Sequence, residues 1–108
     1  MTPKIIFEEK IAKRIKDRAD LSGGSQIIYQ FDVTGDEGGQ WAIVLNGQDN
    51  RVTPGSCENP HCTITISDTD LVRLVQGELK AQLAFMTGRL KVKGDLGLAL
   101  KLGSILKI

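Results

Sequence analysis

The chain has 108 residues, of which 41% are apolar and 25% charged, and its formal net charge is +1. That length fits one domain, residues 1–108, large enough for a real core without metals or disulfides. The composition excludes a disordered tail, and the near-neutral charge gives no strong pull toward nucleic acid. No apolar run approaches the ~20 residues of a membrane span. Met1-Thr2-Pro3-Lys4 leads into a charged stretch and not into an apolar leader, so the expected location is the cytoplasm. There, Cys57 and Cys62 read as free thiols.

Residues 3 to 20 predict a helix. Thr2 suits the N-cap and Pro3 the first helical position. Phe7, Ile11 and Ile15 make a stripe at i, i+4 and i+8, with Ala12 and Ala19 beside it and Lys10, Lys13, Arg14 and Asp17 facing water. Residues 26 to 34 alternate, with Ile27, Tyr29, Phe31 and Val33 on one face. A second strand carries Trp41, Ile43 and Leu45. Asn46-Gly47 marks a turn, and Arg51-Val52-Thr53 forms a short third strand that stops at Pro54-Gly55. Cys62 to Ser67 is a fourth strand with Cys62, Ile64 and Ile66 inward.

Ser67 and Asp70 resemble a capping box. A short helix with Leu71, Leu74 and Val75 follows and closes at Gly77. A second short helix, about 79 to 86, carries Leu79, Leu83 and Met86. Arg89 to Lys93 is a fifth strand with Leu90 and Val92 inward. One apolar face per strand predicts a two-layer α+β domain, with helices on one face of the sheet and water on the other.

The last segment, Asp95 to Lys107, is a helix capped by Asp95. It has two apolar stripes, one of Leu96, Ala99, Leu100, Gly103 and Leu106, the other of Leu98, Leu102 and Ile105. If the first packs on the sheet, the second faces the other helices or a ligand space. A helix that merely covers a sheet needs a narrower apolar face. The excess can meet the core, a bound ligand, a partner chain or a membrane.

Sites for chemistry are sparse. His61 is the one histidine, with no nucleophile elbow around it. Cys57, His61 and Cys62 lack the second ligand pair that a structural zinc needs, and strand geometry sends His61 and Cys62 to opposite faces. Gly94 and Gly97 lack the spacing of a phosphate loop. Arg89, Lys91 and Lys93, with Lys101 or Lys107 nearby, either keep an exposed sheet face soluble or meet anionic lipid heads. No metal, cofactor or catalytic residue is expected, so the chain reads as a non-enzyme. A small enzyme using Cys57 or His61 is the weakest alternative.

Phe85-x-x-Gly88-x-Leu90-x-Val92-x-Gly94, followed by the leucine-rich last helix, resembles the sterol carrier protein type two domain family. Phe31-Asp32-Val33 and Gly39-Gln40-Trp41 fit that family's first hairpin. The resemblance implies a five-stranded, mostly antiparallel sheet with helices on one face and an apolar tunnel between the layers. It implies binding or carriage of fatty acids, acyl-CoA, sterol-like or isoprenoid lipids, without catalysis. Candidate tunnel residues are Trp41, Leu71, Leu74, Val75, Leu83, Phe85, Met86, Leu98, Leu102 and Ile105.

The chain has Lys80-Ala81 where family members often carry Asn-Pro, so the break between the short helices should rest on Gly77. Leu106-Lys107-Ile108 is not a Ser-Lys-Leu type of address, which fits a small stand-alone prokaryotic member. The alternative function is an accessory module, for example in lipid-quinone biosynthesis, docking a homodimer mate or another protein through the last helix. Weak membrane-surface contact is a further expectation.

Overall fold

The computed structural model describes residues 1–47 and 49–106, with the side chains of 19 and 103–106 left aside. The elements are α1 (Pro3–Ile5), a π-helical turn (Ile6–Ile11), α2 (Ala12–Ile15), a 3₁₀ turn (Ala19–Leu21), β1 (Ile27–Thr34), β2 (Gly39–Leu45), β3 (Arg51–Pro54), β4 (Cys62–Ser67), α3 (Asp68–Val75), α4 (Ala81–Met86), β5 (Leu90–Gly94) and α5 (Leu96–Leu106). The strands form one sheet in the order β3-β2-β1-β4-β5. All pairings are antiparallel except β1 with β4. The fold is α+β.

The first helical segment is shorter and wider than its periodicity predicts. Thr2 Oγ1 accepts the Ile5 N–H at 3.3 Å and caps it. The π turn then rotates Ile6 onto the buried side, so Ile6, Phe7, Ile11 and Ile15 are all fully buried. The helix ends at Ile15 and not at residue 20, because a distant side chain takes its terminal carbonyls. Asn50 Nδ2 donates to the Ile15 carbonyl at 2.9 Å and to the Arg18 carbonyl at 2.8 Å, while Asn50 Oδ1 accepts the Asn46 N–H at 2.9 Å. A helix end needs partners for such carbonyls. Nothing local in the sequence points to Asn50 as that partner.

The parallel β1–β4 pair requires the chain to pass from the β3 edge to the far side of β1. Residues 55–61 make that crossing over the outer sheet face. Gln30 holds them: its Nε2 donates to the Gly55 and Trp41 carbonyls, each at 3.3 Å, and its Oε1 accepts the Cys57 N–H at 2.7 Å. Gln30 is buried, as are Ala42 and Val44 on the same face. The outer face is therefore only partly wet, a correction to the simple one-sided reading. Its open half lies over β4 and β5, where Lys91 and Lys93 are exposed.

Gly77 breaks the chain between α3 and α4 at φ +81°, and the Glu78 N–H donates to the Arg73 carbonyl at 2.8 Å. Lys80 is extended at ψ 134° before α4 begins. The two short helices thus separate without a proline.

The core sits on the inner face, where Tyr29, Phe31, Ile43, Leu45, Cys62, Ile64 and Ile66 meet Phe7, Ile11, Leu71, Leu74 and Val75. Helix α5 docks on β4 and β5. Asp95 caps it, its Oδ1 accepting the Leu98 N–H at 3.2 Å. Leu102 is buried and Leu98 and Ala99 partly so, whereas Leu96 is 55% and Leu100 83% exposed. The stripe packed on the sheet is therefore the one with Leu98 and Leu102. Tyr29 Oη donates to the Leu98 carbonyl at 2.8 Å, a polar contact that fits this rotation of the helix.

Two outcomes follow from this docking. Leu102→Ala should lower stability by about 2–5 kcal/mol through the cavity it leaves, and Leu100→Ala should change it little, as thermal or urea unfolding will read. Burial, reinforced by Cys62 and Asp95, pushes the Tyr29 hydroxyl from 10.0 up to about 12. Above pH 10 the unfolded chain loses a proton that the fold retains, so stability holds below that pH and falls as pH rises toward 12. Tyr29→Phe, compared with the parent by urea titration across this window, should lose that part of the slope.

Candidate functional site

The inner face is unevenly covered. The N-terminal helical segment packs against β3 and α2 also reaches it, while α3 covers β1 and β4. Helices α4 and α5 pack against the edge strand β5. Its inward residues Leu90 and Val92 pack against the core and stay partly open. Period-two alternation points both side chains inward, but an edge strand has a neighbour on one side only.

Helix α4 explains the rest of the opening. Ala84 is its one buried residue among six. Thr87 Oγ1 donates to the Leu83 carbonyl at 2.9 Å, and the Arg89 N–H donates to the Ala84 carbonyl at 2.9 Å, which folds the helix end tightly back toward β5. With Ala84 inward, Leu83, Phe85 and Met86 face out, at 53%, 47% and 74% exposure. Leu96 and Leu100 of α5 add to them. Five large apolar side chains thus stand in water on the two helices that border β5. Scattered exposed leucines are ordinary, but five large apolar side chains exposed on two helices that pack on one edge strand make a candidate binding surface.

Tyr29 and Cys62 are fully buried on the inner face. Burial raises the Tyr29 hydroxyl and also pushes the Cys62 thiol up, with Asp95 adding to both. Cys62 is thus held as a thiol, the poorer nucleophile. His61 Nδ1 accepts the Ile28 N–H at 3.0 Å, and its backbone pairs with Ile28 and Asp95. Cys57 is half-buried in the crossing loop. Among the described residues no three His, Cys, Asp or Glu side chains gather as metal ligands. What this surface can do chemically is cover apolar matter.

The sequence candidates divide. Trp41, Leu71, Leu74, Val75 and Leu102 lie in the buried cluster, with Leu98 packed against it. Leu83, Phe85 and Met86 form the exposed face of α4. The Ile105 side chain lies outside the described residues. Trp41 sits apart on β2, separated from β5 by β1 and β4, stacked on Phe7 at 4.9 Å and 11°, with its Nε1 donating to Glu8 Oε2 at 3.0 Å. Leu90, Val92, Leu96 and Leu100, read from the sequence as inward strand residues and an apolar helix stripe, were not among the tunnel candidates. The signal for the first two was available in their position on a terminal strand.

A comparison with solved structures finds the same architecture. The palmitated SCP2L2 of Aedes aegypti superposes with a TM-score of 0.79 at 24% identity, covering 100% of this chain and 96% of that one, a likeness of fold. The sterol carrier protein domain 2 of Helicoverpa armigera gives a TM-score of 0.68 at 36% identity, covering 94% and 80%. Among curated proteins, sterol carrier protein 2 of Bos taurus is 34% identical over 108 residues, which is 94% of this chain but 19% of that protein. The chain thus spans about a fifth of that relative. Residues 7–107 match the family described as SCP-2 sterol transfer, and the chain belongs to that family.

Proposed function

We propose that this domain binds and carries a long-chain lipid without catalysis, its apolar chain covered by α4, β5 and α5. The observation that carries the reading is the group of exposed Leu83, Phe85, Met86, Leu96 and Leu100 around the half-covered Leu90 and Val92. The family membership, and the palmitate named for the Aedes aegypti structure, support it. In this reading the ligand slips between the sheet and the two helices and opens a tunnel there. Leu98, Leu102, Leu74 and Val75 form its inner wall, and the exposed residues close over its outer side.

The magnitudes suffice. At about 0.8 kcal/mol per buried methylene, a chain of about 15 carbons supplies roughly 12 kcal/mol. Association takes back at least ~4 kcal/mol. At that low end of the cost about 8 kcal/mol remains, a micromolar dissociation constant, and a larger cost leaves weaker binding. No polar contact is required, so selectivity among acyl chains and sterol-like bodies should be low.

The second reading is an accessory protein module, favoured by Leu100 alone standing 83% exposed on a helix that could seat a partner. Titration with a fluorescent fatty acid separates the two. Lipid carriage predicts saturable binding in the micromolar range or tighter. It also predicts at least a tenfold loss in Phe85→Ser combined with Leu96→Ser, at an unchanged melting temperature. A parent protein that is folded by circular dichroism yet gives no saturable signal sinks the lipid reading. A mass that doubles with concentration, without bound lipid, establishes the other.

A further inference from the structure

The outer face of the sheet carries a different kind of opening. A cleft of about 300 Å³ lies at one end of β1, β4 and β5, lined by Thr34, Thr65, Ser67, Asp70, Arg89 and Lys91 among others. Strand register builds it. Thr65 stands opposite Lys91 across β4–β5, and Thr34 stands opposite Ser67 across β1–β4. All four share the outward parity. Arg89 joins them from the turn after Gly88, whose φ is +78°.

The charges in this cleft do not cancel. Asp70 is already paired with Arg73 at 3.5 Å. Asp32, next along the row, accepts from Gln40 Nε2 at 3.0 Å and so turns toward β2. Among the described residues no ion pair engages Arg89 or Lys91. Two cations, Arg89 and Lys91, thus line the cleft with one carboxylate, Asp70, which Arg73 from outside the lining already engages. The first amides of α3 are spoken for, since Asp68 Oδ1 accepts the Thr69 N–H at 2.8 Å and Ser67 Oγ the Asp70 N–H at 3.1 Å. Any anion here is held by side chains and not by the helix end.

We propose that this cleft binds a phosphate monoester. A guanidinium presents a planar fork that matches two phosphate oxygens, and Lys91 adds a point charge. With the hydroxyls of Thr34, Thr65 and Ser67 these donors exceed what a single carboxylate accepts, whereas a phosphate offers three terminal oxygens and a charge of about −1.5 to −2. The phosphate belongs either to a lipid headgroup at a membrane surface or to a soluble metabolite. The site lies at the end of the sheet, where Ile66 of β4 and Asp70 of α3 also line it, and the proposal stands independently of the lipid reading.

The test uses the ¹⁵N-labelled full chain titrated with inorganic phosphate against chloride at constant ionic strength. Amide shifts should saturate at Thr34, Thr65, Ser67 and Gly88. Arg89→Gln with Lys91→Gln should weaken phosphate at least tenfold, about 1.4 kcal/mol, with the melting temperature and fatty-acid affinity unchanged. Lys93→Gln, on the same strand but outside the cleft, should leave phosphate binding intact. Sedimentation with phosphatidylcholine vesicles, with and without phosphatidic acid, assigns the source. Phosphatidic-acid-dependent recruitment lost in the double variant supports a headgroup, and phosphate saturation without recruitment supports a soluble ester. Shifts that never saturate, or an equal loss in Lys93→Gln, overturn the proposal.

Discussion

The parallel register of β4 beside β1 is the constraint on which the rest of this molecule depends. It cannot be made by a hairpin, so the chain must travel over the sheet between β3 and β4. That crossing buries backbone on the outer face, and buried backbone needs partners. Gln30 is placed where one side chain answers two carbonyls and an amide of the passing strand and loop. With β4 fixed next to β1, β5 becomes the sheet edge and α5 returns across the inner face over β4 and β5. The asymmetry of cover over the core is a consequence of this topology.

Much of this was legible in residue order. The alternation of Ile27, Tyr29, Phe31 and Val33, or of Cys62, Ile64 and Ile66, marks which side of each strand is dry, and all of these are buried. Thr2, Ser67 and Asp95 announce helix starts because capping is a local interaction. What could not be read depends on contacts between distant residues. Asn50 ends a helix 35 residues earlier, and Tyr29 orients a helix 69 residues later. The two leucine stripes of the last helix are chemically alike, and the choice between them rests on distant contacts, the Tyr29 hydrogen bond to Leu98 among them. Candidate residues on α4 were visible as apolar, but their exposure was not. In so short a helix the single inward position went to Ala84, a choice that hydrophobicity does not rank first.

The two sheet faces divide the physical chemistry. Burial on the inner face disfavours charge, which raises both the Tyr29 hydroxyl and the Cys62 thiol. The open part of the outer face carries lysine and threonine from the same two strands, one residue out of phase. Alternation with a period of two is thus sufficient to give one pair of strands an oily side and a cationic side.

Helix α4 has a consequence for the hierarchy of motion in the fold. It is attached through one buried methyl group and its junctions with Leu79 and β5, while its larger side chains already stand in solvent. Detaching it exposes little additional apolar area, so its opening free energy lies far below that of the sheet. Its amides are therefore expected to exchange faster than those of β1 and β4. The molecule is thus built as a rigid slab with one weakly moored segment, and the mooring lies beside the least covered strand.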